Sequence, residues 1–336
     1  MYIDGEVIEA LSGKRRPVRN PATEEIIGEV AYGTRADCER AIDAASRAFH
    51  GWSRLTPYER GGYLKSAADR IRADVEELAR LTVEESGKPI LEARGEWKVA
   101  ADLFEWYAEE GKRAYGRTIP SRLKNKRMQT IRQPIGVVGV ITAWNFPAYN
   151  PARAWAAALG AGCTVVGRPS EFTPRTALEI AKWLHDAGIP RGVVNVVIGE
   201  ADPMAQAMLD RPEVQKISFT GSTRVGQMLM NGASRTFTRL SLELGGNAPV
   251  LIFPDVDVKA VAKAAVSARF RNCGQVCIAP QRFLIHGKIN DAFIEEMVPH
   301  MERLRVGHGS DPETHIGPLI NARQCDRVEA LVLEGV

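Results

Sequence analysis

The 336 residues carry 44 Lys and Arg against 41 Asp and Glu, a net charge of +3, with 45% hydrophobic and 25% charged side chains. That balance excludes a disordered or fibrous chain and offers too little positive charge for a nucleic-acid surface. The length favours about two domains, each able to bury a sizeable core.

The N-terminus, MYIDGEVIEA, has acidic residues where a signal peptide is basic, and no apolar core follows it. No run approaches the ~18 apolar residues of a membrane span, so a cytoplasmic protein is expected. From Thr34 to Tyr115, apolar residues recur three and four apart, which predicts a helical layer. Thr56, Pro57 and Glu59 read as a capped helix start. The basic stretch RLKNKRMQTIR at 122–132 is interleaved with Leu, Met and Ile, as in a β-ribbon that is solvated or faces another subunit.

Strand-like and helix-like runs then alternate: IGVVGVIT, PARAWAAALGA, CTVVGR, TALEIAKWLHDAG, GVVNVVIG, PMAQAMLD, QKISFTG, TRVGQMLMNGA. Continuous β-branched runs between amphipathic helices predict a doubly wound parallel sheet covered on both faces. A second alternation begins near Leu244 with APVLIF, VKAVAKAAVSARFRN, QRFLIH and INDAFIEEMVPHMERL. It ends in VEALVLEGV without a stop signal, so this second α/β domain reads as incomplete. The expected division is 1–115 with 134–243, a ribbon at 116–133, and 244–336.

Open parallel sheets bind ligands at the carboxyl ends of their strands. At those ends stand four motifs, each weak alone. ITAWNFPA (141–148) sets Asn145 after an apolar strand, either as a donor in a cleft or as a turn residue bonding its own backbone. GRPSEFTP (167–174) sets Glu171 where a carboxylate could accept from a ribose diol or simply be solvated. SFTGSTRVG (218–226) turns at Gly221 into a helix starting at Ser222, whose N-terminus suits a pyrophosphate; its spacing is GxxxxG, not GxGxxG. LELGGNAP (242–249) places Glu243 in an apolar strand end, where burial would raise its pKa as a base needs, unless backbone donors hold it as a carboxylate.

The five cysteines, Cys38, Cys163, Cys273, Cys277 and Cys325, form no CxxC and have no His at ligand spacing. Neither a disulfide framework nor a metal site is expected. FRNCGQVCIAP (270–280) leaves Cys277 in a loop after a helix, as a nucleophile with nearby backbone donors or as a small buried hydrophobe.

Together VRNPATEEIIGEV, WNFP, RPSE, FTGST, LELGG, FRNCGQVC and GPLIN, in this order along the whole chain, resemble the aldehyde dehydrogenase superfamily. The resemblance implies an α/β fold with a doubly wound NAD-binding domain, an α/β catalytic domain and a β-ribbon. It implies Cys277 as the nucleophile that forms a thiohemiacetal and then a thioester, Asn145 as oxyanion donor with the backbone N–H of Cys277, and Glu243 as the base that activates water. For the cofactor it implies Trp144, Arg168, Ser170, Glu171, Gly221, Ser222, Gly226 and Leu244, with NAD favoured and NADP left open because Arg168 stands where the family has Lys. Arg153 and Arg271 resemble the carboxylate-binding arginines of succinate-semialdehyde dehydrogenases, so a short semialdehyde is the expected substrate, with glutarate or 2-oxoglutarate semialdehyde as alternatives. The missing Glu-Ile-Phe-Gly-Pro segment leaves open an inactive or hydrolase-only fragment. A homo-oligomer is expected of the full-length protein. Cys273 departs from the family pattern and raises a reversible Cys273–Cys277 disulfide as a hypothesis.

Overall fold

The computed structural model describes residues 1–335. In chain order the elements are β1 (Tyr2–Ile3), β2 (Glu6–Val7), β3 (Arg15–Arg19), β4 (Ile26–Ala31), α1 (Arg35–Arg54), α2 (Pro57–Ala73), α3 (Val75–Ser86) and α4 (Ile90–Glu110). There follow β5 (Arg117–Ile119), β6 (Met128–Thr130), β7 (Val137–Ile141), α5 (Tyr149–Gly160), β8 (Thr164–Arg168), α6 (Pro174–Asp186), β9 (Val194–Val196), α7 (Ala201–Asp210), β10 (Val214–Thr220), α8 (Thr223–Ala233) and β11 (Arg239–Glu243). The last elements are β12 (Ala248–Ile252), α9 (Val258–Phe270), β13 (Pro280–Ile285), α10 (Asn290–Glu302) and α11 (Ala322–Gly335).

The main sheet runs β11-β10-β7-β8-β9-β1-β2, parallel from β11 to β9 and antiparallel at β1 and β2. Every residue of β7 is buried, and its period of two divides them between two cores. Val138 and Val140 meet Leu64, Trp97 and Leu159 of α2, α4 and α5. Val137 and Ile141 meet Ala41, Met208 and Leu229 of α1, α7 and α8. Both faces are therefore covered, as the continuous apolar runs predicted. A Cβ on Gly167 of β8 would lie 2.5 Å from the Trp155 ring, so the glycine makes room for the largest buried side chain of α5.

The capped start of α2 forms as expected: Thr56 Oγ1 accepts from the Glu59 N–H at 3.2 Å, and Glu59 accepts from the Thr56 N–H at 2.7 Å. The four short N-terminal strands were not anticipated. β1 and β2 are only two residues each and β3 is largely exposed, so these three lack the apolar period that marks a strand. In the ribbon, β5 lies before the basic stretch, which supplies the turn and β6; both strands are exposed. β12 and β13 form a separate parallel pair against α9 and α10 around Ile252 and Phe293.

One charged pair lies inside this framework. Lys88, 1% exposed, follows the left-handed Gly87 that ends α3, and its ammonium is paired with the buried carboxylate of Glu96 on α4. Glu96 also accepts from the N–H groups of Ala148 (2.7 Å) and Tyr149 (3.0 Å), and so caps α5, which has no capping side chain of its own. Lys88→Met would leave Glu96 charged and without its partner. The expected cost is about 3–5 kcal/mol, read as a lower urea midpoint at unchanged slope; adding Glu96→Gln should recover part of it.

Candidate active site

Strand order reverses between β7 and β10: the chain winds from β7 through β8 to β9 on one side, then returns to β10 and β11 on the other. A crevice is expected outside the carboxyl ends of strands at such a switch point. β7 ends into Trp144 and Asn145, β10 into Gly221 and Ser222, and β11 at Glu243, so three separate motifs meet at one edge of the sheet.

Cys277 reaches this edge on a turn closed by Ala279 N–H to Val276 C=O (3.1 Å), and its thiol is exposed. Gly246 passes close by, where a Cβ would stand 3.5 Å from the Cys277 carbonyl oxygen. Asn145 Nδ2 donates to the Gln275 carbonyl at 2.9 Å. An amide nitrogen has two protons, so Asn145 is fixed against the thiol turn with a second N–H to offer.

Asn272 (φ 48°), Cys273 (φ 58°) and Gly274 (φ 73°) form a left-handed run immediately before that turn. Each non-glycine residue in this region costs about 1–3 kcal/mol and persists only where its surroundings hold it. Here the Asn272 N–H donates to Glu92 Oε2 (2.8 Å) and its side-chain amide to the Asn145 carbonyl (2.9 Å). Lys88 donates to that same carbonyl at 2.9 Å. Lys88, Glu92, Glu96 and Asn272 were thus missed by sequence reading. The signal was present in GKPILEARGE, which repeats its charges four residues apart on a face that also carries Ala93 and Trp97.

Cys273 turns away from the crevice: its Sγ donates to the Gly317 carbonyl at 3.1 Å, and burial pushes its thiol up to about 11. Both Cys273 and Cys277 are free thiols.

Glu243 departs from expectation. Its side chain is 55% exposed, so the burial expected of it is not found. Its Oε1 instead pairs with Arg153 at 3.1 Å. Arg153 is thereby not free, and its guanidinium also lies over the Tyr149 ring at 5.7 Å. Arg271 is exposed and lies over Phe146 at 5.4 Å. Phe146 and Tyr149 are edge-on to each other at 6.3 Å, so the two arginines flank one aromatic pair beside Asn145.

At the other side of the crevice, Arg168 is buried and donates to Glu171 (2.7 Å) and to the Gly199 carbonyl (2.6 Å), while its Nε is unpartnered. Ser170 is buried and its Oγ accepts from the Phe172 N–H at 3.3 Å. Ser222 caps α8 through the Val225 N–H, and Leu244 packs on Gly226, where a Cβ would lie 2.8 Å from its methyl group. An exposed 11-residue helix N-terminus, a half-buried carboxylate and an orphaned guanidinium nitrogen fit a dinucleotide's phosphates and ribose. No helix among the described residues is long and apolar enough to cross a membrane.

Residues 8–336 match the Aldehyde dehydrogenase family. The chain belongs to that family. This aldehyde dehydrogenase chain is 43% identical over 331 residues to an aspartate-semialdehyde dehydrogenase (non-phosphorylating) of Halomonas elongata, covering 98% of this chain and 67% of that one. It is 44% identical to a mitochondrial succinate-semialdehyde dehydrogenase of Arabidopsis thaliana, covering 99% and 63%. A crystal structure described as an Escherichia coli NADP dependent enzyme superposes with a TM-score of 0.97 at 42% identity, covering 98% and 68%. The chain spans about two thirds of the length of these proteins.

Iodoacetamide at pH 8 should label the exposed Cys277 and Cys325 and spare Cys38, Cys163 and Cys273 in the native protein. Burial pushes Cys273 to about 11 and Cys38 to about 12, leaving about one thiolate in a thousand or fewer at that pH. Peptide mapping before and after denaturation checks this; native labelling of Cys273 would contradict it.

Proposed function

We propose that this aldehyde dehydrogenase chain oxidises a short carboxylated aldehyde, succinate semialdehyde in the first instance, to the diacid with NAD(P). The observation that carries this reading is the pair of guanidinium groups, Arg153 and Arg271, flanking Phe146 and Tyr149 next to an asparagine bonded to the thiol loop. The names of the relatives, which include succinate- and aspartate-semialdehyde dehydrogenases, support the same class.

In this reading the Cys277 thiolate attacks the aldehyde carbon, and the free Asn145 amide proton with the Cys277 backbone N–H stabilises the oxyanion. A nicotinamide cofactor, held by Trp144, Arg168, Ser170, Glu171, Gly221, Ser222, Gly226 and Leu244, supplies the acceptor for the hydride. Glu243 then takes a proton from water, whose oxygen attacks the thioester carbon, and the C–S bond breaks to return the thiolate. Arg153 and Arg271 hold the distal carboxylate throughout.

NAD is favoured over NADP. One terminal nitrogen of Arg168 is held by both Glu171 and the Gly199 carbonyl, so a 2′-phosphate would face the Glu171 carboxylate beside a guanidinium already paired with it. Residues 1–115 and 134–243 are read as the dinucleotide-binding unit, 244–336 as part of the catalytic unit, and the exposed ribbon at 116–133 as an oligomer contact.

Arg271→Ala should raise KM for succinate semialdehyde by roughly 10- to 150-fold, the worth of a hydrogen bond to a charged group, with little change for propanal. NADH formation at 340 nm measures both. Equal effects on the two aldehydes would overturn the carboxylate assignment.

A further inference from the structure

Arg153 reaches from α5 across the ends of the two strands β10 and β11. One terminal nitrogen pairs with Glu243 Oε1 at 3.1 Å and the other donates to Thr220 Oγ1 at 3.4 Å; Thr220 and Glu243 are register partners. Among the described residues Arg153 is the only cation within ion-pair distance of Glu243. A carboxylate held on this guanidinium is not free to turn toward a water at the acyl carbon, although Glu243 sits on the segment that leads through Gly246 to the thiol turn. Both terminal nitrogens are taken, so a second carboxylate that docks on both must displace the first.

We infer that Arg153 serves two carboxylates in turn: it restrains Glu243 while the site is empty and releases it when the distal carboxylate of a substrate takes the guanidinium. This rests on the reading of Arg153 as a substrate-carboxylate residue. The exchange is feasible because the resident pair is weak and the incoming one strong. Glu243 is half in water, where ion pairs contribute little. A substrate tethered through Cys277 presents its carboxylate bidentately and at high local concentration. The consequence is selectivity at the hydrolytic step. An acyl group without a distal charge leaves Glu243 on Arg153, and its thioester is hydrolysed slowly. An acyl group with one frees Glu243 to accept the water proton as the hydroxyl oxygen adds to the carbonyl carbon and Cys277 departs as thiolate. Arg153 is then a positioning residue for the base as well as a binding residue for the substrate.

Cofactor-free hydrolysis of p-nitrophenyl acetate tests this, since the acetyl group carries no second carboxylate. The burst of p-nitrophenolate reports acylation of Cys277 and counts competent sites; the steady rate reports deacylation. With propionate as the free carboxylate probe, the wild type should show a saturable rise of about 3- to 5-fold in the steady rate, the release of a half-exposed ion pair, with the burst unchanged. Arg153→Met should deacylate at the raised rate without propionate and ignore its addition, and Glu243→Gln should be slow and unresponsive. Arg153→Lys, which keeps the charge but cannot hold a carboxylate bidentately, should respond weakly, and it carries the test if Arg153→Met gives no burst. If Arg153→Met raises KM for succinate semialdehyde but propionate only inhibits the wild type, the proposed substrate class stands and the release of Glu243 is overturned. If Arg153→Met deacylates fast but KM is unchanged and propionate has no effect, Arg153 restrains the base without binding substrate, and the inference is overturned together with the carboxylate reading of Arg153.

Discussion

Lys88 carries its charge where no water reaches it, and the candidate site is arranged around the acceptors that this charge demands. A buried ammonium is tolerable only beside a carboxylate and with its remaining protons bonded. Glu96 supplies the carboxylate and the Asn145 carbonyl a further acceptor, while the Phe146 ring lies 4.4 Å from the ammonium. The second oxygen of Glu96 takes the first N–H groups of α5, the helix from which Arg153 projects. The Asn145 carbonyl also receives the Asn272 amide, so one buried charge ties the end of β7, the start of α5 and the thiol loop into a single unit.

That tie explains how a strained segment can sit next to an exposed nucleophile candidate. The left-handed run at Asn272 and Cys273 is held at its backbone by Glu92, at its amide by Asn145 and at its thiol by Gly317. Burial holds Glu92 above the usual carboxylate range, while the Asn272 N–H works in the opposite direction. The segment around Gly309 and Gly317 is in turn pressed on Gly87 and Lys88 so closely that a Cβ at either glycine would lie within 2.4 Å of a carbonyl oxygen. Only glycine allows the two backbones to approach in this way.

Legibility in the sequence followed the physics of each part. The run VVGVI is apolar on every residue, and only a strand covered on both faces makes that pattern stable, so the doubly wound sheet could be read directly. The strand ends then located the motifs at the switch point. What could not be read depends on neighbours remote in sequence. Glu243 looked buried from its apolar flanks, but exposure is set by what packs over a strand end, and its partner Arg153 comes from a different helix. Lys88, Glu92 and Glu96 were not singled out, because a charge spacing of four does not say which side of a helix faces the core. β1 and β2 were too short and β3 too exposed to show any period.

In the proposed function all of the chemistry falls at one thiol. The most direct measurement is therefore to quench the protein in acid during turnover of succinate semialdehyde with NAD and to map acyl groups by peptide mass spectrometry. A succinyl group on the peptide containing Cys277, absent when either the aldehyde or NAD is omitted, is the expected result. NADH formation with the succinyl group on another residue, or with Cys277 replaced by Ser and the rate unchanged, would contradict it.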